Sequence, residues 1–281
     1  MTEGYRFGLI GHNISYSRSP AIFESIFRHN GSSGAFHNYD LEPDRFAEQF
    51  QALVDNGLSG LSVTIPFKAK VLELLHDVEP VAKAIEAVNS VSVVDGRLCG
   101  FNTDIQGFAV PLASHSEELK HGRALIFGSG GGARAVVYSL YANYEVREFV
   151  VLSRTPERLL QFQQSMQSLL PSITIIAMSF DNFNRRVIDD LDIIVNCTPA
   201  GGWNQPENTP LPDVFTWPAG RIYYDLNYNH GNKVLGSAQS AGLRTIDGSA
   251  MLVGQALQSY YLWTGHRVPF DIVYKDVFPT E

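Results

Sequence analysis

One stretch of sequence decides the fold of this chain: Arg123-Ala-Leu-Ile-Phe-Gly-Ser-Gly-Gly-Gly-Ala-Arg-Ala135. Its apolar half predicts a buried β-strand that ends at Phe127, and the glycines predict a tight turn into a helix. Backbone amides in such a turn can approach a pyrophosphate, whose charge is favoured by the positive end of the helix. A plain strand-to-helix turn has the same glycines, so the flanking sequence must decide between the two.

The next predicted strand supplies a second indication of a dinucleotide site. It ends at Leu152, about twenty residues beyond the glycine turn, where an acidic residue would bind the ribose of NAD. The sequence there is Ser153-Arg154-Thr155-Pro156-Glu157-Arg158. Guanidinium groups form charge-assisted bonds with phosphate, so this segment favours the 2′-phosphate of NADP. The alternative interpretation is that Thr155 caps a helix starting at Pro156 and the arginines are solvated.

These two segments define a predicted NADP site in which backbone amides hold the pyrophosphate and side chains hold the 2′-phosphate. The predicted contacts are Gly128, Ser129, Gly130, Gly131, Gly132, Ala133, Ser153, Arg154, Thr155 and Arg158.

Outside this region, short apolar runs alternate with amphipathic segments, which predicts an α/β fold with helices on largely parallel sheets. The first part reads as a βαβαβ unit with strands at 7–11, 35–40 and 61–64 and helices at 19–29 and 43–56. Ser19 is its predicted first N-cap and Pro20 the first helical residue. Asp95-Gly96 predicts a hairpin between residues 90–94 and 97–101, which makes this first sheet mixed.

The strand-helix alternation restarts at residue 123, with further strands predicted at 149–152, 173–177 and 193–195. We therefore expect two domains, the first formed by residues 1–104 and 245–281 and the second by 105–244. A last helix at about 250–263 is rich in aromatic and aliphatic residues and should return to the first domain.

Composition excludes several classes of protein. The 281 residues carry a net charge of -8, and they include no run of lysine and arginine, so nucleic acid is not an expected partner. Cys99 and Cys197 lack ligand-spaced neighbours, so neither a metal site nor a disulfide is expected. The N-terminus, Met-Thr-Glu-Gly-Tyr-Arg, and the absence of a long apolar stretch predict a cytoplasmic protein without a signal peptide or a membrane span.

Besides the glycine turn and its Ser-Arg-Thr partner, the chain contains the motifs Gly11-His-Asn-Ile-Ser-Tyr-Ser-Arg-Ser-Pro20, Val63-Thr-Ile-Pro-Phe-Lys68, Ala87-Val-Asn89, Gly100-Phe-Asn-Thr-Asp104 and Gly248-Ser-Ala-Met-Leu-Val-Gly-Gln-Ala256. Through these motifs, in this order, the chain resembles the shikimate dehydrogenase family over nearly its whole length. The resemblance implies an NADP-dependent dehydrogenase of aromatic amino-acid biosynthesis that interconverts shikimate and 3-dehydroshikimate. It also implies a substrate-binding catalytic first domain and a Rossmann-type NADP-binding second domain.

The reaction so implied needs a proton donor near a carbonyl oxygen and a hydride donor on one side of the ring. Lys68 lies at a predicted strand end and is the candidate general acid and base. In the family, the lysine that matches Lys68 is paired with the aspartate that matches Asp104. Without the motifs, an exposed lysine and a helix-capping Asp104 would be the simpler interpretation.

The resemblance also implies contacts with a small-molecule substrate and a further cofactor contact. Ser17 and Ser19 match serines that bind the substrate carboxylate, although Ser19 also fits a helix cap. Thr64, Asn89 and Gln255 match residues that bind the substrate's hydroxyls or carboxylate, and Tyr228 matches a tyrosine of the cofactor domain. Structural hydrogen bonds and core packing are the alternatives for these four residues. Gly248 is assigned to the cofactor.

Three positions depart from the family pattern: Ser62 replaces an asparagine, Ser90 a threonine and Gly132 an alanine. The short side chain of Ser62 leaves quinate, an aminated analogue or another relative of shikimate open as the substrate. Two alternatives follow, namely a quinate/shikimate dehydrogenase that also uses NAD and an NADP-binding regulator that has lost turnover. Arg154 and Arg158 argue against the first, and intact Lys68 and Asp104 argue against the second. Both a monomer and a homodimer fit the sequence.

Overall fold

The computed structural model describes residues 4–183, 185–188 and 190–279. The first three residues of the N-terminus quoted above lie outside this description. The chain divides into two compact units, one drawn from Met1–Gly107 and Leu252–Glu281 and the other from Phe108–Met251. The second unit thus ends later than the predicted residue 244, because Arg244–Ile246 forms a strand of its sheet.

The first unit is built on a mixed six-stranded sheet. Its strands are β1 Tyr5–Gly11, β2 Gly34–Asp40, β3 Gly60–Val63, β4 Asp77–Val78, β5 Ser90–Val94 and β6 Arg97–Phe101, in the order β2-β1-β3-β5-β6-β4. Strand β1 is parallel to β2 and β3, whereas β5 is antiparallel to β3 and β6. Asp95 and Gly96 join β5 to β6 with the positive φ angles of a type I′ turn, as predicted.

The α-helices in chain order are α1 Ser19–Asn30, α2 Phe46–Asp55, α3 Pro80–Ala84, α4 Asp104–Ala109, α5 Ser116–Leu119, α6 Gly131–Tyr144, α7 Pro156–Leu169, α8 Lys233–Ser240, α9 Ser249–Thr264 and α10 Phe270–Val277. The prediction of Ser19 as an N-cap is wrong, because Ser19 is already helical and Arg18 holds the cap position. The first turn of the predicted second helix is a separate 3₁₀ turn, Pro43–Arg45.

The last long helix returns to the first unit, as expected. From Leu252 onward α9 belongs to this unit, and Tyr260 is fully buried in its core. The Trp263 ring lies 4.7 Å from the Phe7 ring and 5.5 Å from the Phe23 ring, measured between centroids. The C-terminal part of the chain therefore completes the aromatic core begun by β1 and α1.

Helix α10, which the sequence pattern did not predict, is fastened to α1 by polar contacts. Ser25 Oγ and His29 Nε2 lie 2.7 and 2.9 Å from Asp276 Oδ2. Arg18 Nη2 donates to Val277 O at 2.9 Å, at the end of α10, where helix carbonyls lack intrahelical partners. These contacts tie α1, from its N-cap to its last turn, to the end of α10.

The second unit contains a six-stranded parallel sheet. Its strands are β7 Arg123–Phe127, β8 Glu148–Ser153, β9 Thr174–Ser179, β10 Ile193–Asn196, β11 Ile222–Asp225 and β12 Arg244–Ile246, in the order β12-β11-β10-β7-β8-β9. Every residue of β10 and β11 is buried, as expected for a parallel sheet covered on both faces. The chain order reverses between β7 and β10, and such a switch point is where open α/β sheets bind ligands.

Three further observations concern membrane spans, metal sites and cysteines. Within the described ranges, no helix combines the length and the apolar character needed to cross a bilayer. The same ranges contain no group of three histidine, cysteine or acidic residues placed to hold a metal ion. Cys99 and Cys197 are both free thiols.

Candidate active site

The first unit brings Lys68 and Asp104 together. Lys68 lies in the segment that follows β3, and Asp104 is the first residue of α4. Lys68 Nζ is 2.5 Å from Asp104 Oδ2, and the two side chains are only 18% and 7% exposed. Because so little water screens this ion pair, the lysine is held in a defined position beside the carboxylate.

Asn89 orients the same carboxylate from its other side. Its Nδ2 donates to Asp104 Oδ1 at 2.9 Å and to Thr103 Oγ1 at 3.0 Å, and its Oδ1 accepts from Thr103 N at 2.6 Å. Thr103 Oγ1 is also 3.1 Å from Ser259 Oγ. Sequence reasoning did not assign Thr103 or Ser259 to the site, although Thr103 lies inside a quoted motif. Both oxygens of Asp104 are thus held, one by an amide and one by the ammonium.

The other predicted substrate residues of the first unit make local contacts. At the start of α1, Ser17 Oγ donates a hydrogen bond to Ser19 Oγ at 3.1 Å, and Ser19 N donates to Ser17 Oγ at 3.3 Å. Thr64 N donates to Ile10 O at 2.9 Å and fixes the backbone at the end of β3. Gln255 is buried, and its Nε2 donates to Leu252 O at 2.8 Å within its own helix.

Ser62 and Ser90, two of the positions that depart from the family pattern, lie opposite each other in the sheet. The two residues are paired directly across β3 and β5, and both are buried. Neither hydroxyl has a hydrogen-bond partner in the described part of the chain. Ser90 follows Asn89, and Ser62 lies two residues before Thr64, so the pair of unsatisfied hydroxyls flanks two predicted substrate contacts.

The second unit contains a cleft at the carboxyl ends of its strands. Its volume is about 260 Å³. The residues that line it are Gly128, Leu152, Ser153, Arg154, Thr155, Phe180, Thr198, Pro199, Ala200, Gln205 and Pro210. Gly128 of the predicted glycine turn and the Ser-Arg-Thr segment therefore line one cleft, together with a wall formed by Thr198, Pro199 and Ala200 after β10. Sequence reasoning missed that wall, although Thr198-Pro199 follows a buried strand and such positions carry ligand contacts in α/β sheets.

The glycine turn has room for a ligand at Gly130. This residue is the N-cap of α6 and, having no side chain, does not cap the backbone amides of the first turn. A Cβ added at Gly130 would meet nothing within 4 Å, so the protein alone does not require a glycine there. At Gly128, by contrast, φ is +102° and an added Cβ would lie 3.1 Å from Thr198 Cγ2. Gly128 therefore shapes the turn, while Gly130 leaves open space before uncapped helix amides, which suits a phosphate.

The side chains beyond β8 differ in how they meet the cleft. Ser153 Oγ accepts a hydrogen bond from Ser129 Oγ at 3.1 Å, which links the two halves of the predicted site. Arg154 lies over the Phe180 ring at 5.6 Å, and its Nη2 donates to Thr209 O at 2.8 Å. Thr155 occupies the N-cap of α7 without a side-chain capping bond. Arg158 is exposed on α7 and does not line the cleft.

The other predicted contacts of the second unit do not line that cleft: they are Ser129, Gly130, Gly131, Gly132, Ala133, Arg158, Tyr228 and Gly248. Gly248 is buried, and an added Cβ would be 2.1 Å from Leu226 O, so a close approach of two backbone segments accounts for this glycine. Tyr228 follows β11 and is half-buried.

The parallel strand order, the glycine turn after β7 and the cleft beside it define the chain as a dinucleotide-binding α/β protein with a second α/β unit. Comparison with known sequences narrows the class. Residues 9–91 match the shikimate dehydrogenase substrate binding domain, and residues 248–278 match the shikimate 5'-dehydrogenase C-terminal domain. Shikimate dehydrogenase (NADP(+)) of Clostridium botulinum is 34% identical over 92% of this chain and 96% of its own length. The chain belongs to the shikimate dehydrogenase family.

Solved structures agree with this assignment. Shikimate dehydrogenase from Aquifex aeolicus is 28% identical, with a TM-score of 0.85 and coverage of 99% of both chains. Shikimate 5-dehydrogenase from Thermus thermophilus, solved in complex with NADP(H) and shikimate, is 29% identical with a TM-score of 0.82. That similarity covers 97% of this chain and 98% of the other.

Proposed function

We propose that this protein is an NADP-dependent dehydrogenase that interconverts shikimate and 3-dehydroshikimate in the cytoplasm, as a step of aromatic amino-acid biosynthesis. The observation that carries the proposal is the ion pair between Lys68 and Asp104, with Asn89 holding the second carboxylate oxygen. The names of the relatives and the shikimate complex of the Thermus thermophilus enzyme support the choice of substrate.

The second unit fits NADP. Gly130 leaves space in front of the uncapped amides of α6, and Arg154 lines the cleft beside Ser153, where no carboxylate would repel a 2′-phosphate. When bound, NADP supplies the hydride donor or acceptor of the reaction. We therefore assign cofactor binding to the unit that spans 108–251 and substrate binding to the unit that spans 1–107 and 252–281.

In this proposal Lys68 moves the proton. During ketone reduction the ammonium at Nζ donates a proton to the substrate oxygen, and during alcohol oxidation the neutral amine accepts it. Asp104 Oδ2 accepts a hydrogen bond from Nζ and so aims the amine, while Asn89 prevents rotation of the carboxylate. Ser17 and Ser19 bind the substrate carboxylate at the start of α1, with Thr64, Gln255 and Tyr228 as further substrate contacts.

The test is a steady-state assay with shikimate and quinate, each against NADP and NAD. The proposal predicts the highest kcat/KM for shikimate with NADP. Preferred turnover of quinate would instead indicate that Ser62 and Ser90, with their unsatisfied hydroxyls, set a different substrate. No turnover with any combination would favour an NADP-binding regulator. Gel filtration distinguishes the monomer from the homodimer, which the proposal leaves open.

Replacing Asp104 by asparagine should lower kcat and raise KM for shikimate together. The amide keeps the shape of the carboxylate but removes the charge that holds Lys68, and it offers a ring hydroxyl a weaker acceptor. Losing a charge-assisted bond costs about 1.5–3 kcal/mol. The kinetic constants, measured at saturating NADP, check the prediction; if both stay at wild-type values, Asp104 only starts α4.

Two glycine substitutions should have opposite consequences. Gly130→Ala should change the stability by less than about 1 kcal/mol but weaken NADPH roughly 10-fold or more, because its methyl enters the space left for the pyrophosphate. Gly248→Ala should lower the melting temperature, because its Cβ would overlap Leu226 O. Thermal unfolding and NADPH titration of both variants provide the comparison. Unchanged NADPH affinity in Gly130→Ala would remove that glycine from the cofactor site.

A further inference from the structure

A buried serine on α9 contacts the residues that hold Lys68 and Asp104. Ser259 lies in the part of α9 that belongs to the first unit, and it is 0% exposed. Its Oγ is 3.1 Å from Thr103 Oγ1, and Thr103 is the residue before Asp104. The C-terminal helix therefore places one hydroxyl directly beside the network of the candidate site.

The same face of α9 carries a predicted substrate contact. Gln255 precedes Ser259 by four residues, so the two side chains are neighbours on one face of the helix. Both are buried, whereas the other buried residues of this part of α9, Val253, Ala256 and Tyr260, are not hydrogen-bonding side chains of the site. Burying polar groups costs free energy, so two of them on one face beside the candidate site favour a role in that site.

The backbone amide of Thr103 determines which way the Asn89 side chain points. Thr103 N can only donate, so the Asn89 atom 2.6 Å from it is the oxygen, Oδ1. Nδ2 is therefore directed to Asp104 Oδ1 at 2.9 Å and to Thr103 Oγ1 at 3.0 Å. Both hydrogens of this amide are then used, and Thr103 Oγ1 accepts one of them.

The Thr103 hydroxyl has one hydrogen of its own and two acceptors within reach. Ser259 Oγ is 3.1 Å away and Asn89 Oδ1 is 3.3 Å away. Asn89 Oδ1 already accepts from Thr103 N, and a bond to it would turn the hydroxyl back towards the amide from which it accepts. Ser259 Oγ is the nearer acceptor, so the hydrogen bonds run from Asn89 to Thr103 and from Thr103 to Ser259.

Removing Ser259 Oγ would disturb Asn89. Among the described residues, the Thr103 hydroxyl is bonded only to Asn89 and Ser259, and Thr103 is 1% exposed, so water does not replace the serine. The hydrogen would then turn to Asn89 Oδ1. Asn89 cannot both donate to the hydroxyl and accept from it in good geometry, because hydrogen bonds weaken steeply as their angle closes. The amide that holds Asp104 would be less firmly placed.

We propose that Ser259 is a positioning residue for the ion pair between Lys68 and Asp104, acting through Thr103 and Asn89. This inference rests on the proposed proton transfer by Lys68 and adds a residue that lies outside the quoted motifs. Ser259 touches neither substrate nor cofactor in this proposal. Its hydroxyl keeps the Asn89 amide directed at Asp104 Oδ1, and Asp104 Oδ2 in turn aims the ammonium of Lys68.

Ser259→Ala tests the proposal, because it removes the hydroxyl and introduces the best helix former. We expect kcat for shikimate oxidation to fall about 3- to 10-fold, which corresponds to the loss of one neutral hydrogen bond. KM for shikimate and Kd for NADPH should stay nearly unchanged, since the variant alters the aim of Lys68 and removes no binding group. A merely structural role would lower the melting temperature without this selective loss of kcat.

The double variant Ser259→Ala/Thr103→Val tests whether Ser259 acts through Thr103. Valine has nearly the shape of threonine but no hydroxyl, so Thr103→Val alone should already disconnect Ser259 from Asn89. Adding Ser259→Ala to Thr103→Val should then lower kcat no further. Two residues that act independently would instead give effects that multiply.

Ser25→Ala is the matched control. Ser25 is also a fully buried serine of the first unit, but its Oγ donates to Asp276 Oδ2 at 2.7 Å, in the contact between α1 and α10. The same substitution there removes a hydrogen bond of the core and none of the candidate site. The variant should therefore be less stable than the wild type and keep its kcat and KM.

The outcomes separate this inference from the function on which it rests. A lower kcat in Ser259→Ala with no further loss in the double variant supports the inference. A wild-type kcat overturns it, as do multiplying effects in the double variant or an equal loss of kcat in Ser25→Ala. If Ser259→Ala does not fold, Ser259→Cys retains a weaker partner for Thr103, and its kcat is judged in the same way. A wild type that turns over neither shikimate nor quinate contradicts the proposed function itself, and the inference fails with it.

Discussion

Lys68→Met should reduce kcat for shikimate oxidation by about 10²–10⁴-fold, the usual effect of removing a general acid or base. The methionine side chain fills the space of the lysine stem but can neither donate nor accept the proton. NADPH binding should be nearly unchanged, because Lys68 belongs to the first unit and the glycine turn to the second. The loss should therefore appear in single-turnover rates as well as in kcat.

Two companion variants make this test sharper. Lys68→Arg retains the positive charge beside Asp104 but cannot act as a base, since arginine stays protonated in proteins. It should be nearly as inactive as Lys68→Met. Lys70→Met changes an exposed lysine that only approaches Pro43 O at 3.4 Å, and it should leave kcat intact. A Lys68→Met or Lys68→Arg enzyme with near wild-type kcat at every pH would remove Lys68 from the mechanism.

Replacing Arg154 and Arg158 together by glutamine should weaken NADP strongly and leave NAD nearly unaffected. Most of the loss of NADP affinity should come from Arg154, because Arg154 lines the cleft and Arg158 does not. Arg154→Gln alone should therefore cost about 1.5–3 kcal/mol, roughly a 10- to 150-fold loss of NADP affinity. Arg158→Gln, its matched control, should have a much smaller effect, since Arg158 does not line the cleft.

The readout is the ratio of kcat/KM for NADP and NAD at fixed salt. Adding Ser153→Asp to the double variant should shift the ratio further towards NAD. A carboxylate there repels a 2′-phosphate and could still accept the hydrogen bond that Ser129 Oγ gives Ser153. If the wild type already prefers NAD, or if the double variant has an unchanged ratio, the two arginines are only solvated side chains near the start of α7 and do not bind the 2′-phosphate.

Patterns local in sequence predicted most of the fold. The Asp95-Gly96 hairpin, the alternation of strands and helices and the return of α9 are as expected, because turn residues and long apolar periods carry their own signal. The eight-residue helix α10 was missed, since two turns give little periodicity. The predicted end of the second domain, residue 244, differs from the end of the second unit, Met251, because the three residues of β12 carry too short a pattern.

The candidate site was predictable only where a motif named the residue. Asn89 and Asp104 stand in motifs, but their contact depends on where β5 begins and β6 ends. No motif predicted the hydrogen bond between Asn196 Nδ2 and the buried carboxylate of Asp225. The two residues lie 29 positions apart in sequence and are in contact because β10 and β11 are neighbours in the sheet. Side-chain partners across a sheet follow from strand order and register, which no local pattern specifies.

The first unit combines residues 1–107 with residues 252–281, so it cannot be completed during synthesis until the second segment has been made. On a ribosome, which adds about 5–20 residues per second, Phe7 and Phe23 emerge long before Tyr260 and Trp263, the residues that cover them. The second unit is continuous and has its whole core as soon as Met251 is made. We therefore expect nascent chains to fold the second unit first and to leave residues 1–107 open to chaperones and proteases until the residues from Leu252 onward have been made.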